Sequence, residues 1–222
     1  MARPRDIDAH RQRLSAATWA VLAQGGLTGL TVRAVAERAG CTTGLVMHTF
    51  ADKAALLRHA RTLLHQRTAE GAEQAEATAT DPRSRLHAVL TQAVTVTDEK
   101  REEARVWIAY TAAAVADPEL AELHRTHNRA FLARIDRLLS DALPHLADDV
   151  RADAAVTLVA LVEGLNTLAA LDPTTYHTDT QHRAVDDILT RLAAAHPHEH
   201  ASGPAPLDPG PPGPTALGDQ LP

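Results

Sequence analysis

The sequence predicts an all-α chain, and three observations carry that prediction. The apolar residues are mostly Ala, Leu and Val, with only six aromatics in 222 residues, a composition that favours helix over the pleated sheet. Apolar positions recur at i, i+3, i+4 and i+7 almost throughout. The interruptions are helix punctuation: Gly25-Gly26, Gly40, Asp117-Pro118 and Asp172-Pro173. No strand pattern and no internal repeat is present. The length suffices for one large or two modest cores.

Residues 9–24 put Leu14, Ala17, Val21 and Leu22 on one face and end at Gly25-Gly26. Thr31 offers an N-cap, and Val32, Val35, Ala36 and Ala39 make the stripe of a two-turn helix closed by Gly40. Thr42 caps a third short helix, running to about Thr49, whose Val46 and Phe50 point inward. Asp52 caps a long helix striped by Leu56, Leu57, Ala60, Leu63 and Leu64, which is expected to fray around 70–80. After Pro82 come a segment holding Leu86, Val89, Leu90 and Ala93, and an almost wholly apolar one over 102–116. Leu120, Leu123, Phe131, Ile135 and Leu138 follow, then 149–171, apolar on more than one face, then a last helix with Val185, Ile188, Leu189 and Leu192. The tail 197–222 holds eight of thirteen prolines without periodicity and is expected to be disordered.

Composition narrows the function. The chain carries −6 overall, yet residues 1–60 are +4 and the remainder −10. A basic head on an acidic body suits one small part that meets phosphate. The lone Cys41 excludes an internal disulfide framework and, with a charged rather than apolar N-terminus, predicts a cytoplasmic protein. The most apolar stretch, 155–171, contains Glu163 and Asn166 and is too short to span a bilayer, so no membrane role is expected. A helix apolar on two faces needs cover on both. For 149–171 a second copy is the economical cover, which predicts a two-fold homodimer.

The stretch Ala39–Lys53, AGCTTGLVMHTFADK, asks why so short a helix is displayed at all, since it cannot stabilise itself in water. Two short helices joined by a turn containing Gly40 read as helix-turn-helix, with small Cys41 tucked beneath the turn and the third helix free to enter a major groove. At these residues the sequence resembles the TetR-type transcriptional regulators. The likeness spans about 45 residues and rests on Gly26, Thr31-Val32, VAERAG, Gly44, Phe50 and Lys53. The segment from RVWIAYTAAAVADPEL to LVALVEGLN is similar to the C-terminal domain of the subgroup typified by choline-responsive betaine regulators.

The resemblance implies a helix-turn-helix domain over 1–52, a helical ligand-binding and dimerisation domain over 53–195 and a tail over 196–222. It also implies a dimer built as a four-helix bundle, a near-palindromic duplex DNA operator, and repression relieved by an unidentified small-molecule effector. The family usually has an aromatic where this chain has Met47, and often another at Thr49. Met donates no hydrogen bond, so phosphate anchoring falls to Thr31, Arg33, Thr42, His48 and Lys53. Thr43, Leu45, His48 and Thr49 are candidates for base edges, beside Gly44. Lys53 opposes the dipole of the helix it starts, which favours a phosphate role. Cys41 reads as buried filler.

Glu163 and Asn166, one turn apart in an apolar helix, leave two readings open. They are a polar handle for a ligand, which would be a cation if Trp107 and Tyr110 supply ring faces, or a hydrogen-bonded pair at the dimer seam. His124 and His127 read as pocket lining or core histidines rather than metal ligands, His127 being the ligand-site candidate. The run His196–His200 is read as incidental. No metal, cofactor or catalytic residue is expected: there is no nucleophile-base-acid set and no phosphate loop. The readings left beside a repressor are an activator on the same fold and an all-α carrier or enzyme.

Overall fold

The computed structural model describes residues 4–94 and 97–195, all of whose regular elements are helices. The expectations for the tail and for His196–His200 lie outside the described residues. Helix α1 (Pro4–Gly29) breaks at Gly26, whose φ of 57° and ψ of −159° are open only to glycine. Helix α2 (Val32–Ala39) starts where Thr31 Oγ1 accepts the Ala34 amide at 3.1 Å. It stops at Gly40, with φ 63°, where the amides of Gly40 and Cys41 turn back onto Glu37 and Ala36. Gly40→Ala places a Cβ in left-handed backbone and is expected to lose about 1 kcal/mol in a denaturant titration. An unchanged midpoint would mean that the turn relaxes.

Helix α3 (Thr43–Thr49) is capped by Thr42, and α4 (Lys53–Thr78) by Asp52, whose Oδ1 accepts the Ala55 amide at 2.7 Å. The fraying expected around 70–80 does not occur. Ala72 is buried in the second core, and Glu73 and Glu76 are held by Arg134 and Arg137 across N–O distances of 2.7–3.4 Å. These tertiary contacts supply what local propensity lacks.

The remaining helices are α5 (Pro82–Ala93), α6 (Asp98–Ala114), α7 (Pro118–Ala142), α8 (Asp148–Leu171) and α9 (Thr178–Ala194). Two apolar cores result. One joins α1–α3, the first half of α4, and Val106, Tyr110 and Leu120. The other joins the end of α4 with α5, α7, α8 and α9. Helix α4 serves both.

Helix α8 corrects the length argument made from the sequence. At 24 residues it is long and apolar enough to cross a membrane by length and composition. One face, including Leu158, Val159, Val162 and Leu165, is buried in the second core. The opposite face exposes Val150, Val156, Leu168 and Leu171.

Candidate nucleic-acid interface and ligand cavity

Seven residues of helix hold α3 out from the head through two side chains. Val46 is fully buried and Phe50 nearly so, its ring 4.9 Å from that of His59 on α4. That leaves Thr43, Gly44, Met47 and His48 exposed, with Leu45 and Thr49 half-buried beside them. Thr31 and Arg33 at the start of α2 and Thr42 at the start of α3 are exposed as well. The hydroxyls of Thr31 and Thr42 accept backbone amides as caps, so each keeps its proton for an outside acceptor. Thr49 has spent its proton on Leu45 O at 3.3 Å.

Lys53 has a structural partner that the sequence did not announce: its Nζ donates to Leu27 O at 2.6 Å, fastening the start of α4 to the end of α1. This accounts for a cation at an unfavourable helix terminus, while the exposed ammonium retains further protons. Cys41 is half-buried against the head core rather than fully tucked away. Met47, noted in the sequence only as a lost aromatic, is 58% exposed and belongs to the same outer surface. Its position one turn beyond Thr43 was the available signal.

A cavity of about 90 Å³ lies between α4, α5, α6, α7 and α8. Trp107, His127, Glu163 and Asn166 all line it, which brings four of the five sequence candidates together around one space. Asn166 Nδ2 donates to Ala93 O at 2.9 Å, tying α8 to the end of α5. Tyr110 is the correction. It is fully buried in the first core, and its hydroxyl donates to Leu120 O, closing α6 onto α7. Three residues beyond Trp107, it lies behind the cavity wall instead of in it.

The cavity is rich in titratable groups. Burial pushes the Glu163 carboxyl up to about 7, against the opposing pull of Arg61 and a hydrogen bond from Trp107. His127 stacks on His65 with ring centroids 4.0 Å apart. Burial, and then the neighbouring His65, Arg61 and His124, lower its pKa to about 4, so it is neutral at pH 7. Lys100 and Glu103 form an ion pair at 2.8 Å, both largely buried. Among the described residues no three His, Cys, Asp or Glu gather as a metal would require.

The sequence missed Arg61. It is 6% exposed, lines the cavity and lies under the rings of Trp107 and Tyr110, 5.1 and 5.7 Å from their centroids. An arginine within the apolar stripe of α4, four residues after Leu57 and three before Leu64, was the visible cue.

Comparison with known proteins matches both halves. Residues 14–60 match the bacterial regulatory proteins of the tetR family, and residues 82–194 match the BetI-type transcriptional repressor C-terminal family. The HTH-type transcriptional regulator BetI of Paraburkholderia xenovorans is 32% identical over 189 residues, 83% of this chain and 94% of the relative. PksA of Bacillus subtilis is 29% identical, over 82% of this chain and 90% of the relative. A solved transcriptional regulator from Rhodococcus sp. Rha1 shares the fold with a TM-score of 0.74 and 28% identity, covering 82% of this chain and 94% of its own. A regulator from Saccharomonospora viridis, solved with choline, gives 0.75 at 18% identity, covering 82% of this chain and 96% of its own. These matches leave no place for the carrier or enzyme reading. The displayed third helix, the head core behind it and the matched helical body agree: the chain belongs to the TetR family and is a helix-turn-helix, DNA-binding transcriptional repressor of the BetI type.

Proposed function

We propose that the repressor acts as a homodimer on a near-palindromic operator and is released by a small molecule bound in the α4–α8 cavity. The observation that carries the DNA-reading part is α3 itself, anchored by Val46 and Phe50 with Thr43, Gly44, Met47 and His48 turned outward. Thr31, Arg33, Thr42, His48 and Lys53 then hold phosphates, while Thr43, Leu45, His48 and Thr49 meet base edges. The exposed apolar face of α8 is the surface for the second copy. Two heads so paired enter successive major grooves, about 34–36 Å apart. The division of labour runs 1–52 for DNA and 53–195 for ligand and pairing, and action on DNA places the chain in the cytoplasm.

Support for ligand control lies in two helices that touch both regions. Helix α4 carries Leu56 and Leu57 into the head core and Arg61 and His65 to the cavity. Helix α6 carries Val106 and Tyr110 into that same core and Trp107 to the cavity. A ligand that binds better to the state in which these helices have shifted draws the population away from DNA. The choline in the Saccharomonospora viridis structure belongs to that protein. At 18% identity it lends the fold and leaves the effector of this chain to its own residues.

The test uses duplexes that the wild-type chain selects from a random library. Thr43→Ala combined with His48→Ala is expected to weaken binding at least 100-fold, with melting temperature and sedimentation unchanged. Wild-type log K should fall with log salt, as phosphate contacts require. Retained affinity in the double variant overturns the assignment of α3 as the reading helix.

A further inference from the structure

The charges around the cavity do not balance in the way a cation-binding site needs. Lys100 and Glu103 neutralise one another. Arg61 has no such partner: among the described residues no carboxylate lies within ion-pair distance of it, and its Nε is buried without a hydrogen bond. Trp107 and Tyr110 cover the guanidinium with ring faces, which attract it but accept none of its protons in the plane. An arginine 94% withdrawn from water, with an unpartnered Nε–H and a place in the cavity wall, leaves a desolvated charge uncompensated unless an acceptor arrives.

Resting on the effector reading above, we propose that the cavity ligand is a small organic monocarboxylate, its carboxylate held by the Arg61 guanidinium and its body lying against Trp107, Phe131 and Val162. Planar carboxylate and planar guanidinium match fork to fork. A single negative charge is what the cavity accommodates, because one cation is left unpaired. A dianion such as a phosphate monoester would bring a second charge beside Glu163 with nothing to meet it. An organic cation would face Arg61 directly. The other groups around the site are consistent with an acid. From α4 and α7, His65, His124 and His127 have pKa values lowered by burial and are neutral at pH 7. From α8, Glu163 is mostly protonated below about pH 7 and can then donate that proton to a ligand oxygen. From α6, Lys100 and Glu103 remain a closed pair.

The experiment is titration calorimetry on the full chain at pH 6.5 with isobutyrate and benzoate, each against its own amide, and with choline as the cationic probe. At least one acid is expected to bind ten-fold or more tighter than its amide and than choline, and to release the selected duplex. Arg61→Met should erase the preference for acid over amide, and Arg61→Lys should restore part of it. Neither acid exceeding its amide, or choline binding more tightly than both acids, overturns the proposal; the wild-type comparison decides this even if a variant folds poorly. Ala104→Trp, which fills the cavity, separates this proposal from the effector reading. If choline binds and Ala104→Trp abolishes it, the cavity is an effector site and the carboxylate assignment is wrong. If an acid binds undiminished to Ala104→Trp, its site lies elsewhere and both fall.

Discussion

Glu163→Gln is expected to stabilise the protein by roughly 3 kcal/mol at pH 8 and to change little at pH 4. The folded carboxyl titrates at about 7, pushed up by burial from its ordinary value of 4.5. Between those two values the folded chain retains a proton that the unfolded chain has released. Stability therefore falls as pH rises from about 4.5 to about 7 and remains reduced above it. Gln has no proton to lose and keeps an oxygen for the Trp107 indole. His127 works in the opposite sense: its folded pKa, about 4, lies below the ordinary 6.5, so its contribution is lost as pH falls through that interval. That effect is common to wild type and variant and cancels in their difference. Chemical denaturation at several pH values measures the difference directly, and one that stays flat from pH 4 to pH 8 would show that Glu163 is ionised in the folded cavity.

Phe50→Ala is expected to cost about 3–4 kcal/mol and to reduce DNA binding beyond what the lost stability explains. Phe50 is only 8% exposed, tilts against His59 and closes α3 by donating its amide to Val46 O at 2.8 Å. Val46 is the one other deep anchor of a helix too short to persist alone. With Phe50 gone, α3 is held at one point, and the geometry that presents Thr43 and His48 outward is lost. Denaturation should show the head melting before the body, because the second core, built from the end of α4 with α5 and α7–α9, contains no residue of α3. A single transition shifted by less than 1 kcal/mol would mean that Val46 suffices.

Most of the head was legible because its signals are local. Thr31, Thr42 and Asp52 cap amides three residues onward, and Gly40 stops α2 by its own backbone freedom, so each can be read within one turn. The alternation of exposed and buried residues along α3 follows from period alone. The cavity was legible only in fragments. Glu163 and Asn166 stood out as polar residues in an apolar helix, and Trp107 as a rare aromatic, but nothing local distinguishes Trp107 from Tyr110. At i and i+3 the two rings lie only about 60° apart around α6, and only its packing against α1 and α7 decides which side each ring takes.

By itself the sequence determined the helices, the caps and turn of the head, the displayed third helix and the family, because helix formation and capping depend on neighbours within four residues. The tertiary structure alone decided that Arg61 lies desolvated beneath Trp107, that α4 stays helical to Thr78, and that α8 keeps one apolar face uncovered. Arg61 and Glu163 are separated by about a hundred residues of chain. Their shared cavity depends on how five helices cross, and crossing is set by the packing of whole faces, which no local pattern records.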